Sequence, residues 1–299
     1  MNRDILVKKL DALFELDSIW NGIQDPTWRW IERIYATTNF DWNSFFEPQY
    51  VKGLNGLMLK GSYEVKAAHC SCFFSPEVLK SILARNERNG FIFAHHHFDM
   101  ETGGRGFLAI DPEILVEIKR RDYSLYYAHA PADCSMNIGT NAAILQAFGL
   151  KHMETFGKYG VGHAGRIAEF DGPISGEILI SRCQNIFGVN PKIWNFDMNR
   201  KFRRVAIVAG GGDDVDLFKD AETAKAELYL TGEVTSRTNG DWARQNNDSI
   251  EKYLKASRMS FIALSHNASE VLFLENQMKQ WFCDLGLNAE VLRDSDVWR

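Results

Sequence analysis

The sequence predicts an α/β protein whose strand ends carry metal-binding side chains. Three observations predict it. Gly90-Phe91-Ile92-Phe93-Ala94-His95-His96-His97-Phe98-Asp99 is a short apolar run entered from a glycine and closed by three consecutive histidines. That is the pattern of a strand buried on both faces of a parallel sheet. Two helix–strand units then follow one another, Ser75-Pro76-Glu77 leading to His95 over 20 residues and Asp111-Pro112-Glu113 leading to His129 over 18. A third apolar run, Phe261-Ile262-Ala263-Leu264-Ser265, closes at His266. In open α/β sheets ligands collect at the C-terminal edge of the strands, and imidazole is the commonest protein metal ligand near neutral pH.

Composition bounds the rest. A chain of 299 residues has room for one large or two modest domains. With 45% hydrophobic and 24% charged residues it reads as globular. A net charge of −5, with no run of five Lys/Arg, argues against nucleic acid as a partner. Five cysteines in a chain this long do not form a disulfide framework. Cys70 and Cys72 are too closely spaced for a zinc knuckle and read as ordinary reduced thiols. The N-terminus is too charged for a signal peptide. No apolar run approaches the ~18–20 residues that span a bilayer. The expectation is a soluble cytoplasmic protein without a membrane partner.

Each element has its own signal. Ile5, Leu6, Leu10, Leu13 and Phe14 fall at helix-face spacing and predict a helix over 4–17. Residues 18–50 concentrate Trp20, Trp28, Trp30, Tyr35, Phe40, Trp42, Phe45, Phe46 and Tyr50. They read either as a small aromatic core or as an oligomer contact or cleft cover. Residues 56–59 and 65–68 read as strands around a turn at Lys60-Gly61-Ser62. Ser75 and Asp111 each cap a helix, followed by a first-turn proline and an acid. The buried faces are Val78, Leu79, Ile82 and Leu83 in one, and Ile114, Leu115 and Ile118 in the other. Residues 123–128 read as a strand and 141–148 as a helix closed by Gly149. Residues 155–172 hold five glycines and read as a loop, before a helix over 174–187.

The second half opens on a strand at 205–209 that runs into Gly210-Gly211-Gly212. No Gly-Lys-Ser/Thr follows, and the third glycine position of a dinucleotide fingerprint holds Val215. The run is therefore a tight strand-to-helix turn or a close approach of backbone to a substrate. A helix over 214–226 leads to a strand at 228–230 that continues as Thr231-Gly232-Glu233. A last helix begins near Ala268, with Val271, Leu274, Met278, Trp281, Phe282 and Leu285 on its apolar side. The domain reading is an N-terminal helix and aromatic-rich segment over 1–53, a first α/β half over 54–172 and a second over 173–299.

His95, His96, Asp133, His266 and Glu270 all fall at or just beyond predicted strand C-termini, Glu270 in the first turn of the last helix. Three imidazoles and two carboxylates suit Zn, Mn, Fe or Ni better than Ca or Mg. Five ligands are too many for one four-coordinate catalytic zinc. They fit two divalent ions sharing a carboxylate, with positions left for water. The catalytic candidates are a metal-bound water and Glu270.

Several segments occur in the order of a known family. They are Asn55-Gly56-Leu57-Met58, Ala94-His95-His96, Tyr127-Ala128-His129-Ala130-Pro131-Ala132-Asp133, Gly160-Val161-Gly162-His163-Ala164-Gly165-Arg166, residues 205–212, Tyr229-Leu230-Thr231-Gly232-Glu233 and His266-Asn267-Ala268-Ser269-Glu270. Over roughly residues 50–290 the chain resembles the YbgI-type dinuclear-metal-centre proteins, the NGG-interacting-factor family or type 2 GTP cyclohydrolase I homologues. The resemblance implies two pseudo-symmetric α/β halves with a dinuclear metal site in the cleft between them. His95, His96 and Asp133 would come from the first half, and His266 and Glu270 from the second. His129 matches a family histidine that supports the ligands rather than binding metal itself, and Glu233 would stand beside them. The resemblance further implies a homohexameric ring and a GTP cyclohydrolase type 2-like hydrolase acting on a nucleotide or small phosphorylated compound. The alternative is a non-catalytic metal-binding or partner-regulating scaffold. The chain departs from the family at His97, where Pro or Gly is usual, so His97 either adds a ligand or lines the cleft. Ser265 and Ala130 replace the usual Gly and Thr, and residues 18–48 have no clear counterpart.

Overall fold

The apolar runs fold into two sheets, in a computed structural model that describes residues 1–101, 106–238 and 240–298. The first sheet begins with β1 (Gly56–Leu59), β2 (Ala67–Phe73) and β3 (Phe91–His96). A hairpin of β4 (Asp99–Glu101) and β5 (Gly106–Leu108) follows, then β6 (Ser124–Tyr127). β6, β3 and β2 are parallel neighbours, and β1 closes one edge antiparallel to β6. The second sheet takes β7 (Lys151–Tyr159), β8 (Gly162–Ser175), β9 (Lys192–Trp194), β10 (Lys201–Gly211), β11 (Leu228–Glu233) and β12 (Ser260–Ala263). Its order is β7-β8-β10-β11-β12-β9, with β10, β11 and β12 as the parallel core. The chain then returns. β13 (Asn288–Leu292) pairs parallel with β2 and completes the first sheet as β1-β6-β3-β2-β13.

The sheets therefore divide the chain differently from a boundary at 172/173. β7 and β8 already belong to the second sheet, and β13 belongs to the first. The pairing of β13 covers an edge of β2 that would otherwise present a row of unpaired backbone groups.

Local chemistry sets most helices. The Ser75 hydroxyl accepts from Val78 N at the start of Pro76–Ala84, and Asp111 accepts from Glu113 N at the start of Pro112–Arg120. Val78, Leu79, Ile82, Ile114, Leu115 and Ile118 are all buried. The first helix, Arg3–Leu13, stops short of the expected 4–17 because the chain turns at Glu15, whose φ is 57°. The aromatic stretch forms three short helices, Trp28–Tyr35, Trp42–Phe45 and Pro48–Gly53. Tyr35 stacks on Trp42, Phe46 stands edge-on to Tyr50, and Tyr50 packs against Tyr127 of β6. The segment is thus an aromatic core fused to the first sheet. A helix over Asp241–Ala256 and the strands β9 and β13 had no counterpart in the sequence reading.

The glycine-rich stretch 155–172 is not a loop but the β7–β8 hairpin. Gly165 pairs with Phe156 across it, and a Cβ there would lie 2.3 Å from Phe156 Cε1. The glycine makes room for the ring that lies over it. The last helix runs as His266–Phe273, a π-helical turn over Leu274–Met278, and Lys279–Asp284, and carries the chain from β12 back towards β13. Among the described residues no helix is long and apolar enough to cross a membrane.

Gly165→Ala should destabilise the protein by roughly 1–3 kcal/mol, the usual cost of overpacking a filled site. Gly172→Ala, in the same strand with no atom within 4 Å of the added Cβ, should change stability by less than about 0.5 kcal/mol. Urea unfolding of the two variants checks this; equal effects would contradict the packing argument.

Candidate metal centre

The C-terminal edges of the two parallel cores meet. β3 ends in His95 and His96, β6 leads to His129 and β2 to Cys72; from the second sheet, β12 leads to His266 and β11 ends at Glu233. Asp133 lies on the short helix Ala130–Cys134 after β6, and Glu270 one turn into the helix that His266 opens. His95 Nδ1 donates to the Ala128 carbonyl at 2.9 Å. That leaves Nε2 turned inward, 3.3 Å from Asp133 Oδ1 and 3.5 Å from Glu270 Oε1. His96 Nε2 is 2.7 Å from Glu270 Oε2. His266 Nε2 lies 3.1 Å from Glu270 Oε1 and 3.2 Å from His96 Nε2. One carboxylate therefore touches three imidazoles. Donor atoms of His95, Asp133 and Glu270 lie within 4.8 Å of one another, as do those of Cys72, His96 and Glu270, and those of His95, His96 and His129.

Backbone shape makes this convergence possible. Gly210 has φ 68°, and a Cβ on it would sit 1.9 Å from Glu270 Oε1 and 2.8 Å from His266 Nε2. The glycine run after β10 is thus a close backbone approach, and what it approaches is the side-chain cluster. Asp133 Oδ1 accepts from Thr140 Oγ1 at 2.7 Å. Arg166 is fully buried and donates from Nη2 to the carbonyls of Asp133, Cys134 and Ser135 at 3.1, 2.7 and 3.1 Å. It ties down the C-terminal end of the helix that bears Asp133.

His129 and His97 face the N-terminal segment. His129 Nδ1 is 3.0 Å from Asp25 Oδ1, and its Nε2 is 3.8 Å from Asp133 Oδ2. His97 is turned away from the ligand cluster: its Nδ1 is 2.6 Å from the Tyr50 hydroxyl and its ring stacks on Tyr127. Glu233 Oε1 lies 3.8 Å from His266 Nδ1. Sequence reasoning missed Asp25, Tyr50, Cys72 and Asp213. Asp25 is buried and accepts from Thr27 N, Asn55 Nδ2 and Ala130 N at 2.9, 3.0 and 3.1 Å. Its only sequence signal is the turn-like Asp25-Pro26-Thr27. Cys72 could have been found by the strand-end rule that picked out His95.

The electrostatics are those of a cation site. Burial works to raise the Glu270 carboxyl, but the charges of His266, His96 and His95 outweigh it and hold it well below the carboxylate range. Burial likewise opposes the rise of His266 to about 10, driven by the Glu270 charge and by hydrogen bonding to Glu233 and Glu270. Against the same penalty, Glu270 and Asp133 push His95 well above its ordinary value. His96 falls well below, because burial and the neighbouring His95 charge exceed the pull of Glu270. Burial takes His97 down to about 3. Burial and the Glu233 charge raise Asp213 to about 8. The nitrogen and oxygen donors of the cluster face one another at spacings that a cation between them would satisfy. His95 Nε2, buried and without a hydrogen-bond partner, fits that role.

A two-sheet α/β protein with a buried histidine–carboxylate cluster where the strand ends meet is the class these features define. The chain belongs to the DUF34/NIF3 (NGG1p interacting factor 3) family, which it matches over residues 44–292. A GTP cyclohydrolase 1 type 2 homolog from Archaeoglobus fulgidus is 30% identical over 180 residues, covering 60% of this chain and 69% of the relative. Protein ybgI, solved by structural genomics and of unknown function, superimposes with a TM-score of 0.67 at 16% identity over 99% of each chain. Reduced HcgD from Methanocaldococcus jannaschii gives a TM-score of 0.66 at 18% identity over 98% of each chain. At these identities the two solved structures establish the fold.

Asp25→Ala would leave the His129, Asn55 and Ala130 donors without their acceptor and should cost about 3 kcal/mol or more. Burial opposes ionisation of Asp25, but the His129 charge and the His129 and Thr27 hydrogen bonds hold its carboxyl below the usual range. A depressed carboxyl stabilises the fold fully above its unfolded value of ~3.9, and that stability is lost as pH falls through the folded value. Chemical denaturation from pH 6 downward should show a steeper loss below about pH 4 in wild type than in Asp25→Ala. Parallel curves would contradict the assignment.

Proposed function

We propose that the protein is a dinuclear metal-dependent hydrolase acting on a nucleotide or another small phosphorylated compound. The observation that carries this reading is the placement of Glu270. Its carboxylate is 2% exposed: Oε1 lies 3.5 Å from His95 Nε2 and 3.1 Å from His266 Nε2, Oε2 lies 2.7 Å from His96 Nε2, and Asp133 Oδ1 stands 3.3 Å from His95. His95, Asp133 and Glu270 would hold one divalent ion, and His96, His266 and Glu270 the second, drawn from Zn, Mn, Fe or Ni. When bound, such a pair supplies a Lewis acid and an activated water near neutral pH. The chain's own groups do the rest. Asp25 holds the His129 ring through Nδ1, so that Nε2 faces Asp133 and supports it there. Asp213 stands close to Glu233, and burial and the Glu233 charge raise its carboxyl above the usual range. Arg166 and Thr140 fix Asp133. The substrate class is supported by the names of the curated relatives, which are GTP cyclohydrolase 1 type 2 homologs. A hexameric ring goes with this reading by family resemblance, and a cytoplasmic location by the expectation drawn from the sequence.

A second reading is a non-catalytic metal protein or partner-regulating scaffold. The depth of the cluster favours it, because His95 is fully buried and His96 nearly so, which restricts substrate access.

Elemental analysis of protein purified without chelator, paired with a panel of nucleotides and phosphomonoesters, tests both. Two metals per chain with turnover that Glu270→Ala abolishes support the hydrolase. Two metals without turnover support the scaffold. One metal or fewer after reconstitution overturns the dinuclear site. Metal should also stabilise the fold, by about 2.7 kcal/mol at a hundredfold excess over Kd. Chelation should therefore lower the Tm of wild type and of Glu275→Ala, whose side chain pairs with Arg293 on the outer surface. It should lower that of Glu270→Ala much less. Equal shifts in all three would contradict the role of Glu270.

A further inference from the structure

We infer that Cys72 is a thiolate ligand to the ion held by His96 and His266, so that the two metal positions differ in chemical kind. The inference rests on the dinuclear reading above. Cys72 lies at the C-terminal end of β2, where the ladder to β3 pairs Ser71 with Ala94 and Phe73 with His96. Its side chain is buried, 1% exposed, in the apolar core, with its sulfur at the margin that meets the ligand cluster. Sγ donates to Glu270 Oε2 at 3.2 Å, the same oxygen that lies 2.7 Å from His96 Nε2. Among the described residues the other cysteines end elsewhere. Cys70, two positions earlier on the strand, and Cys183 share the apolar core with Cys72 and Cys283 is exposed, and none of these three joins a group of candidate ligands. Cys134 turns to the Tyr159 carbonyl at 3.7 Å.

The distances suit a four-coordinate ion. Metal–sulfur and metal–nitrogen bonds of 2.3 and 2.0–2.1 Å at a tetrahedral angle separate the two donors by about 3.5 Å. Cys72 Sγ, His96 Nε2 and a Glu270 oxygen already lie within 4.8 Å of one another, and His96 and His266 Nε2 are 3.2 Å apart. Gly210 leaves the space beside Glu270 and His266 free of a Cβ. On binding, a metal–sulfur bond forms and the S–H bond breaks, its proton passing to solvent; nothing is oxidised or reduced. Two imidazoles, a carboxylate and a thiolate are a softer donor set than the imidazole and two carboxylates of His95, Asp133 and Glu270. Thiolate selects zinc, ferrous iron and cobalt(II) over manganese and magnesium. The chain would then hold a soft ion on the Cys72 side and accept a harder one on the Asp133 side.

Cobalt(II) titration of metal-stripped protein without oxygen tests this, with bound cobalt counted independently by elemental analysis. Wild type should show a sulfur-to-cobalt charge-transfer band in the near ultraviolet, of one-thiolate intensity, that saturates with one of two bound equivalents. Cys72→Ser and Cys72→Ala should lose the band and still bind cobalt at the Asp133 side, which reports that they are folded. Cys70→Ser should keep the band. Two bound cobalt ions with no band, or a band that survives in both Cys72 variants, would overturn the inference and leave the dinuclear reading standing. Failure of wild type to bind cobalt would overturn both.

Discussion

A buried carboxylate must be matched by positive charge or hydrogen-bond donors, because taking it out of water unpaired costs several kcal/mol. Glu270 meets that requirement with imidazoles from both sheets: His95 and His96 at the end of β3, and His266 beyond β12. The match exists only while the two strand edges face each other at this point. Much of the local architecture serves that registration. Gly210 and Gly232 let the ends of β10 and β11 close on the His266 helix; a Cβ on either would fall within 3 Å of His266 or Glu270 atoms. Ser269 Oγ accepts from Gly210 N at 2.9 Å. The helix that carries Glu270 then takes the chain back to β13, tying the second sheet's last strand to the first sheet's edge.

The N-terminal segment is bound into the same arrangement. Its aromatic core places Asp25 under His129 and the Tyr50 hydroxyl against His97. The three consecutive histidines consequently do two jobs. His95 and His96 turn into the ligand cluster, while His97 anchors the N-terminal aromatic segment through Tyr50. Arg166 acts from another side, holding three consecutive carbonyls around Asp133, with no carboxylate ion pair among the described residues. The Asp25 and Arg166 contacts stabilise the surroundings of Asp133 as well as the fold.

Features governed by local chemistry were legible in the sequence. The Ser75 and Asp111 caps, the all-apolar β3, and histidines at successive strand ends need only neighbours in the chain to be recognised. What escaped depends on partners distant in sequence. Gly165 looks like a loop residue until Phe156 is placed across the hairpin. β13 is five residues long and takes its meaning from β2, more than 200 residues earlier. Asp25 and Cys72 are ordinary in their own surroundings and join the cluster only through partners distant in the chain. Spacing rules for metal motifs test ligands that are close in the chain. Here the set is assembled from residues 72 to 270, so only the strand-end pattern could point to it.

The central claim is that Glu270 bridges two ions. Anomalous diffraction from crystals of metal-reconstituted protein, recorded at the absorption edge of the bound metal, tests it most directly. The expected map has two peaks about 3.5–4 Å apart, the usual spacing of a two-metal site. They should flank the Glu270 carboxylate, one beside His95 and Asp133 and the other beside His96 and His266. A single peak, or peaks that do not touch Glu270, would contradict the account.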